Sequence, residues 1–364
     1  MQVIPLLKQL SEADGLSGHE DPVRELLRQI WQPFVDEMRE GKLGSLIALK
    51  QGTGPEPRPK LMLAAHMDEI GMMVTGLEKG FLRFTQVGGT DRRVLLGLEV
   101  IVHGRCDPLA EHACSNLPGI VATRPPHVLP EEERRKNVPW DKLFVDVGLP
   151  AEKVERLVMV GDLISIRREM VELKNGRVAG KAMDNRVCVA AVTLALEQLS
   201  SMRHAWDIFA VATVQEETGP KGATTSAYGL APDLAVALDA TFGKHPGVSE
   251  VDSFSLGDGP TIGVGPNFHP GLVTRLKEVA EAHEIPYQIE PLPGDSGTDA
   301  WAIQVTRAGV PTALVSVPVR YMHQPVETLA VQDVERAGRL LAAFAAGLEV
   351  DFLEKLAWDN TVAE

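Results

Sequence analysis

The sequence predicts an α/β domain interrupted by a small all-β insert. Three observations predict it. Apolar runs of strand length, LMLAAH, DIFAVATV, DLAVALD and PTALVSVPV, alternate with helical patterns in the outer parts of the chain. Strands buried on both faces read this way. From about residue 70 the texture changes to short strand-like pieces punctuated by glycine, the pattern of an all-β module. The length, 364 residues, exceeds one ordinary compact domain. The expected division is residues 1–69 with 164–364 as a discontinuous α/β domain and 70–163 as the insert.

Taken in order, residues 3–12 carry a short apolar-periodic helix, and GLSGHED is a loop. Asp21-Pro22 reads as an N-cap followed by a first-turn proline. Val23, Leu26, Leu27, Ile30, Trp31 and Phe34 then recur at helical spacing. GTGPEPRPK is a turn-rich loop leading into the strand LMLAAHMDE. In the insert, GMMVTGLEKGFLRFTQVGG, LGLEVIVHG, GIVATR, LFVDVG and GDLISIRRE are the strand-like pieces. Beyond it, residues 185–199, 270–283 and 331–348 read as helices between the remaining strands.

Composition narrows the function. The chain is 44% hydrophobic and 24% charged, with a formal net charge of −14. That balance argues against general binding to nucleic acid or an anionic membrane, which needs a basic face. No apolar run approaches the roughly 20 residues of a membrane span. MQVIPLLKQLSEADG lacks a basic leader with an apolar core, so the expected location is the cytoplasm. Of the three cysteines, Cys106, Cys114 and Cys188, none forms a CxxC pair, and a disulfide framework is not expected. Cys188, in NRVCVAAVTLALEQL, reads as a small buried hydrophobe.

The chemistry gathers where strands end. LMLAAHMDE ends in His66 and Asp68, VAGKAMDNR puts Asp184 at a helix start, and DIFAVATVQEE ends in Glu216 and Glu217. DLAVALDA ends in Asp239, and PTALVSVPVRYMH ends at His323. Ligands of open α/β sheets bind outside the carboxyl ends of the strands. Alone, each residue has an ordinary reading: a satisfied structural histidine, a turn aspartate, an N-cap at Asp184, a solvated Glu-Glu turn. Together they deliver two histidines and several carboxylates to one sheet edge, where unpaired buried carboxylates are costly without cations. Such a set can hold two divalent ions if one carboxylate bridges, and imidazole with carboxylate suits zinc or cobalt. His66 and Asp68, two apart, share a face of an extended chain, so Asp68 can accept the second N–H of His66. Adjacent Glu216 and Glu217 point to opposite sides, so one can ligate metal while the other acts as general base.

AHMDEIG, KAMDNR, QEETGPKGA, ALDAT, GDSGTDA and RYMHQPVE resemble the motifs of the tetrahedral aminopeptidases, the glutamyl and leucyl aminopeptidases of metallopeptidase family forty-two. The likeness spans nearly the whole chain. It implies a three-layer zinc-peptidase-like mixed sheet flanked by helices, with a PDZ-like insert driving assembly into dimers and then a dodecamer. It implies two zinc or cobalt ions, with His66 and Asp239 on one, Glu217 and His323 on the other, and Asp184 bridging. Glu216 becomes the general base and Asp68 orients His66. The peptide after Asp184 is expected to be cis. The implied activity is removal of N-terminal residues from short peptides. A related co-catalytic amidohydrolase and a metal-stabilised scaffold without catalysis are the alternatives. The chain departs from the family pattern at Thr218-Gly219-Pro220-Lys221, at Cys188 and at Trp301, none of which removes a ligand.

Overall fold

The computed structural model describes residues 1–106 and 114–356. It divides into two compact units, one of Met1–Asp68, Met170–Met322 and the described residues from Val326 on, the other of Glu69–Glu169 with His323–Pro325.

The larger unit is a mixed α/β fold around an eight-stranded sheet. Its spatial order is Glu37–Glu40, Leu46–Lys50, Asp207–Thr213, Lys60–His66, Leu234–Phe242, Thr312–Val319, Thr261–Val264, Gln288–Pro291. The four central strands, Asp207–Thr213 to Thr312–Val319, run parallel. All four are the apolar runs read from the sequence. Lys60–His66 is buried from Leu61 onward and Thr312–Val319 along its whole length, as strands covered on both faces must be. The two short strands beyond them, Thr261–Val264 and Gln288–Pro291, left no clear run in the sequence. Both have only four residues.

Helix Met183–Leu199 lies at the centre of the core, with every residue from Met183 to Leu196 buried. It packs on strands Lys60–His66 and Leu234–Phe242 and on helices Val3–Glu12 and Val331–Ala346. Gly338 permits the last contact, since a Cβ there would lie 2.8 Å from Leu194 Cβ and 3.0 Å from the Ala191 carbonyl oxygen. Helices Lys221–Leu230 and Asp299–Gln304 pack together on the sheet as a further layer. A separate three-stranded antiparallel sheet joins Val171–Leu173, Arg177–Gly180 and Glu327–Ala330. Helix Asp21–Trp31 starts one residue earlier than its sequence suggests. Glu20 takes the cap position without a side-chain cap bond, and Asp21 pairs with Arg24 inside the first turn.

The smaller unit is a closed six-stranded barrel of Gly71–Glu78, Phe81–Val87, Phe144–Asp146, Cys114–Ala122, Glu99–Cys106 and Leu163–Ile166. Alternate residues, among them Met72, Val74, Leu82, Phe84, Val100, Val102 and Ile164, fill its interior. Val154, from helix Ala151–Leu157, closes the core. Among the described residues, no helix is long and apolar enough to cross a membrane. Cys188 is buried and free, as expected, whereas the side chains of Cys106 and Cys114 lie outside the described set.

Candidate active site

Two central strands, the turn after Thr213 and the start of helix Met183–Leu199 bring His66, Asp239, Glu216, Glu217 and Asp184 together in the larger unit. His66 Nε2 lies 3.2 Å from Asp184 Oδ1, 3.6 Å from Asp239 Oδ1 and 3.9 Å from Glu216 Oε2. All of these side chains are buried or nearly so. Two ligands held about 2.0–2.2 Å from a tetrahedral ion stand about 3.4 Å apart. The first two separations bracket that value, and imidazole nitrogen with carboxylate oxygen is the donor set zinc and cobalt take. Asp184 and Glu217 also offer oxygens within 4.8 Å of each other. The residues therefore fit a metal centre.

The tautomer of His66 follows from its neighbours. Nδ1 is 3.3 Å from the Asp68 main-chain oxygen, which can only accept, so Nδ1 carries a proton and Nε2 is the nitrogen turned to the cluster, free to ligate once its own proton is lost. His323, which belongs to the barrel unit, is oriented by the same device: its Nδ1 lies 3.2 Å from the Gly89 carbonyl oxygen.

The Asp68 carboxylate, expected to bond the His66 ring, stands 3.5 Å from Nδ1 and pairs with it. It also accepts the main-chain N–H groups of Glu216, at 3.0 Å, and Glu217, at 3.1 Å. Strand alternation was expected to separate the two glutamates. Instead the chain leaves the strand at Thr213 and turns through Gln215, whose φ of 58° is left-handed. The turn, not the pleat, sends Glu216 toward His66 and Glu217 toward Asp184.

Asp184, Asn185 and Arg186 lock this edge to the rest of the fold. The Asp184–Asn185 peptide is cis, as the motif led us to expect. Asp184 N–H donates to Glu327 Oε2 at 3.0 Å, and Asn185 Nδ2 donates to the Leu238 carbonyl at 2.8 Å, beside Asp239. Arg186, fully buried, donates to the carbonyls of Met67 and Leu10, both at 2.6 Å. Met67 lies between His66 and Asp68, so one guanidinium fixes that strand end. Sequence reading missed Glu327 and Arg186 as supports. It also missed Asp299, buried and accepting a hydrogen bond from Thr213, although GDSGTDA stood out as a motif.

The electrostatics are those of crowded acids around one imidazole. Burial opposes a charged His66, yet Asp184, Asp239 and Asp68 hold its pKa well above the ordinary value. Burial raises Asp239, and burial with the Asp184 charge pushes Glu217 far up. Burial, with repulsion from Asp239 and Asp299, takes Glu216 to about 9, and burial takes Asp299 to about 7. Asp68 goes the other way: burial would raise it, but His66 and the two main-chain N–H groups bring it below the usual carboxylate range.

With folded-state pKa values above the ordinary ones, the folded chain keeps protons that the unfolded chain has already released, between the ordinary 4.5 and about 9 for Glu216. Stability then falls as pH rises through that window. Chelator-treated protein is expected to lose Tm from about pH 5 to about pH 9, while protein refilled with zinc or cobalt holds it, because cations favour the ionised carboxylates. Equal Tm profiles for the two preparations would overturn the link between these acids and a metal.

Comparison with known proteins identifies the family. Residues 44–340 match the family model described as M42 glutamyl aminopeptidase. The lysyl aminopeptidase of Pyrococcus furiosus is 36% identical over 353 residues, covering 95% of this chain and 98% of that one. The TET aminopeptidase of a marine-sediment thaumarchaeote superposes with a TM-score of 0.89 at 32% identity, covering 98% of this chain and 99% of its own. The TET1 peptidase of Pyrococcus horikoshii, described as assembling into a tetrahedron or a large octahedral shell, gives 0.82 at 31% identity and covers 95% and 100%. With nearly the full length matched in sequence and in fold, and with a buried imidazole–carboxylate cluster at the strand ends, this chain belongs to the M42 glutamyl aminopeptidase family and is a peptide hydrolase of the aminopeptidase type.

Proposed function

We propose that the chain removes N-terminal residues from short peptides with the help of two divalent ions, zinc or cobalt. His66 and Asp239 would hold one ion, Glu217 and His323 the other, with Asp184 shared between them. The observation that carries this reading is His66 Nε2 facing Asp184 and Asp239 at ligand-like separations in a buried site. When bound, the ions supply a water of lowered pKa and polarise the scissile carbonyl. Glu216 takes the proton of the attacking water and passes it to the leaving amine. Asp68 holds the main chain of both glutamates, so the base and the ligand stay separated in aim. Asp299, beside Thr213, adds negative charge that favours a protonated Glu216 once the proton has been taken.

The test is a panel of amino-acid p-nitroanilides offered to metal-stripped protein refilled with zinc, cobalt or manganese in turn. Turnover is expected in refilled protein alone, with N-acetylated substrates refused. Cleavage of the acetylated series instead would support the amidohydrolase reading. No turnover in any refilled sample would support the scaffold.

The barrel unit would act as a PDZ-like assembly module in a cytoplasmic homo-oligomer of dimers built up to a dodecamer. Enclosed sites would admit short peptides and exclude folded proteins. Light scattering is expected to give a mass near twelve subunits at micromolar concentration; monomer alone would overturn the assembly.

A further inference from the structure

The loop Leu16–Glu20 lies far from the Glu216–Glu217 pair in sequence, yet it touches both flanks of it. Glu20 is 3% exposed, and its Oε1 accepts the N–H of Gly18 at 2.6 Å and the N–H of Gln215 at 3.1 Å. Ser17 Oγ and Thr218 Oγ1 share a hydrogen bond of 2.9 Å. Asp68 takes the two N–H groups between them. Each of the four residues from Gln215 to Thr218 is thus tied by a side chain from elsewhere in the fold, and two of the three tying side chains come from this one loop.

The loop is itself anchored. His19 N–H donates to the Leu16 carbonyl at 2.7 Å, closing it, and helix Asp21–Trp31 follows at once with Val23, Leu27 and Trp31 buried in the core. The tie at Gln215 falls where the main chain is left-handed, a conformation that a non-glycine residue keeps only when its surroundings hold it.

We propose that Glu20 is a positioning residue for the reaction: through the Gln215 N–H it fixes the turn that aims Glu216, with Ser17 holding the far side of the pair. The inference rests on Glu216 acting as the base. Because both N–H groups reach the same oxygen, the amide oxygen of Gln can replace it. A carboxylate one methylene shorter cannot reach, although it keeps the charge.

The experiment uses metal-loaded, full-length protein and the variants Glu20→Gln, Glu20→Asp, Glu20→Ala and Ser17→Ala. Misplacing a catalytic group by about 1 Å costs on the order of a hundredfold. Glu20→Ala and Glu20→Asp are therefore expected to lower kcat by about ten- to a hundredfold, with KM and metal content within about twofold. Glu20→Gln is expected to stay within about threefold of the parent, and Ser17→Ala to fall between them. Amide hydrogen exchange over residues 214–218 should quicken in Glu20→Ala and Glu20→Asp but not in Glu20→Gln. A purely structural role would lower Tm in the same variants without moving kcat or exchange in this segment. Parent-like kcat and exchange in Glu20→Asp, or an equal kcat loss in Glu20→Gln, would overturn the proposal. Exchange is read without substrate, so if the parent enzyme proves inactive on the p-nitroanilide panel, the proposed function fails while the clamp is still decided.

Discussion

Glu216→Gln is expected to keep both ions and lose on the order of a hundredfold to ten-thousandfold in turnover, the range of general-base deletion. The substitution preserves size and leaves the main-chain N–H of Glu216 on Asp68 untouched. Only the capacity to take a proton disappears. Glu216 Oε2 stands 3.9 Å from His66 Nε2, farther than the oxygens of Asp184 and Asp239, which suits a group beside an ion rather than on it. Metal analysis together with kcat decides the matter. Near-normal turnover would sink the assignment, and loss of an ion would show that Glu216 and Glu217 have exchanged roles.

Asp184→Ala is expected to do more damage still. Asp184 lies within ligand distance of His66 and Asp239 and also of Glu217. In the proposed site its carboxylate would serve both ions, so its removal should strip both and lower kcat/KM by about ten-thousandfold or more. The hydrogen bonds around it come from the Asp184 main-chain N–H and the Asn185 side-chain Nδ2, which the substitution leaves in place. Folding is therefore expected to persist, and circular dichroism provides the control. Elemental analysis showing one ion per subunit at undiminished affinity would mean that Asp184 serves a single ion.

How much of this was legible in the sequence depended on the range of the interaction. LMLAAH, DIFAVAT, LAVALD and TALVSVPV announced themselves as central strands because burial on both faces leaves a continuous apolar run, a purely local mark. His66, Glu216, Glu217 and Asp239 were legible for the same reason, since they stand where those runs stop, whereas Asp184 stands at a helix start. What stayed hidden is set by tertiary partners. Nothing near Asp68 in the chain says that its carboxylate will meet the N–H groups of residues 216 and 217. Nothing near Glu20 points to Gln215, or near Glu327 to Asp184. The left-handed turn at Gln215 was misread as extended chain because the residues before it are apolar and strand-like. Its conformation comes from acceptors distant in sequence.

The edges of the two sheets in the larger unit bear on behaviour in a crowded solution. One border of the eight-stranded sheet is Glu37–Glu40, four residues of which three are charged, and the other is Gln288–Pro291, four residues closing on proline. Val171–Leu173, at the border of the small sheet, is only three residues long. The barrel closes on itself and has no border. Unpaired strand edges template fibrous aggregation, and short, charged or proline-ended ones resist it. Copies of this chain can therefore be concentrated, or held side by side, with little tendency to zip together through their backbones. Any association is left to side-chain surfaces, where it can have a defined stoichiometry and an end.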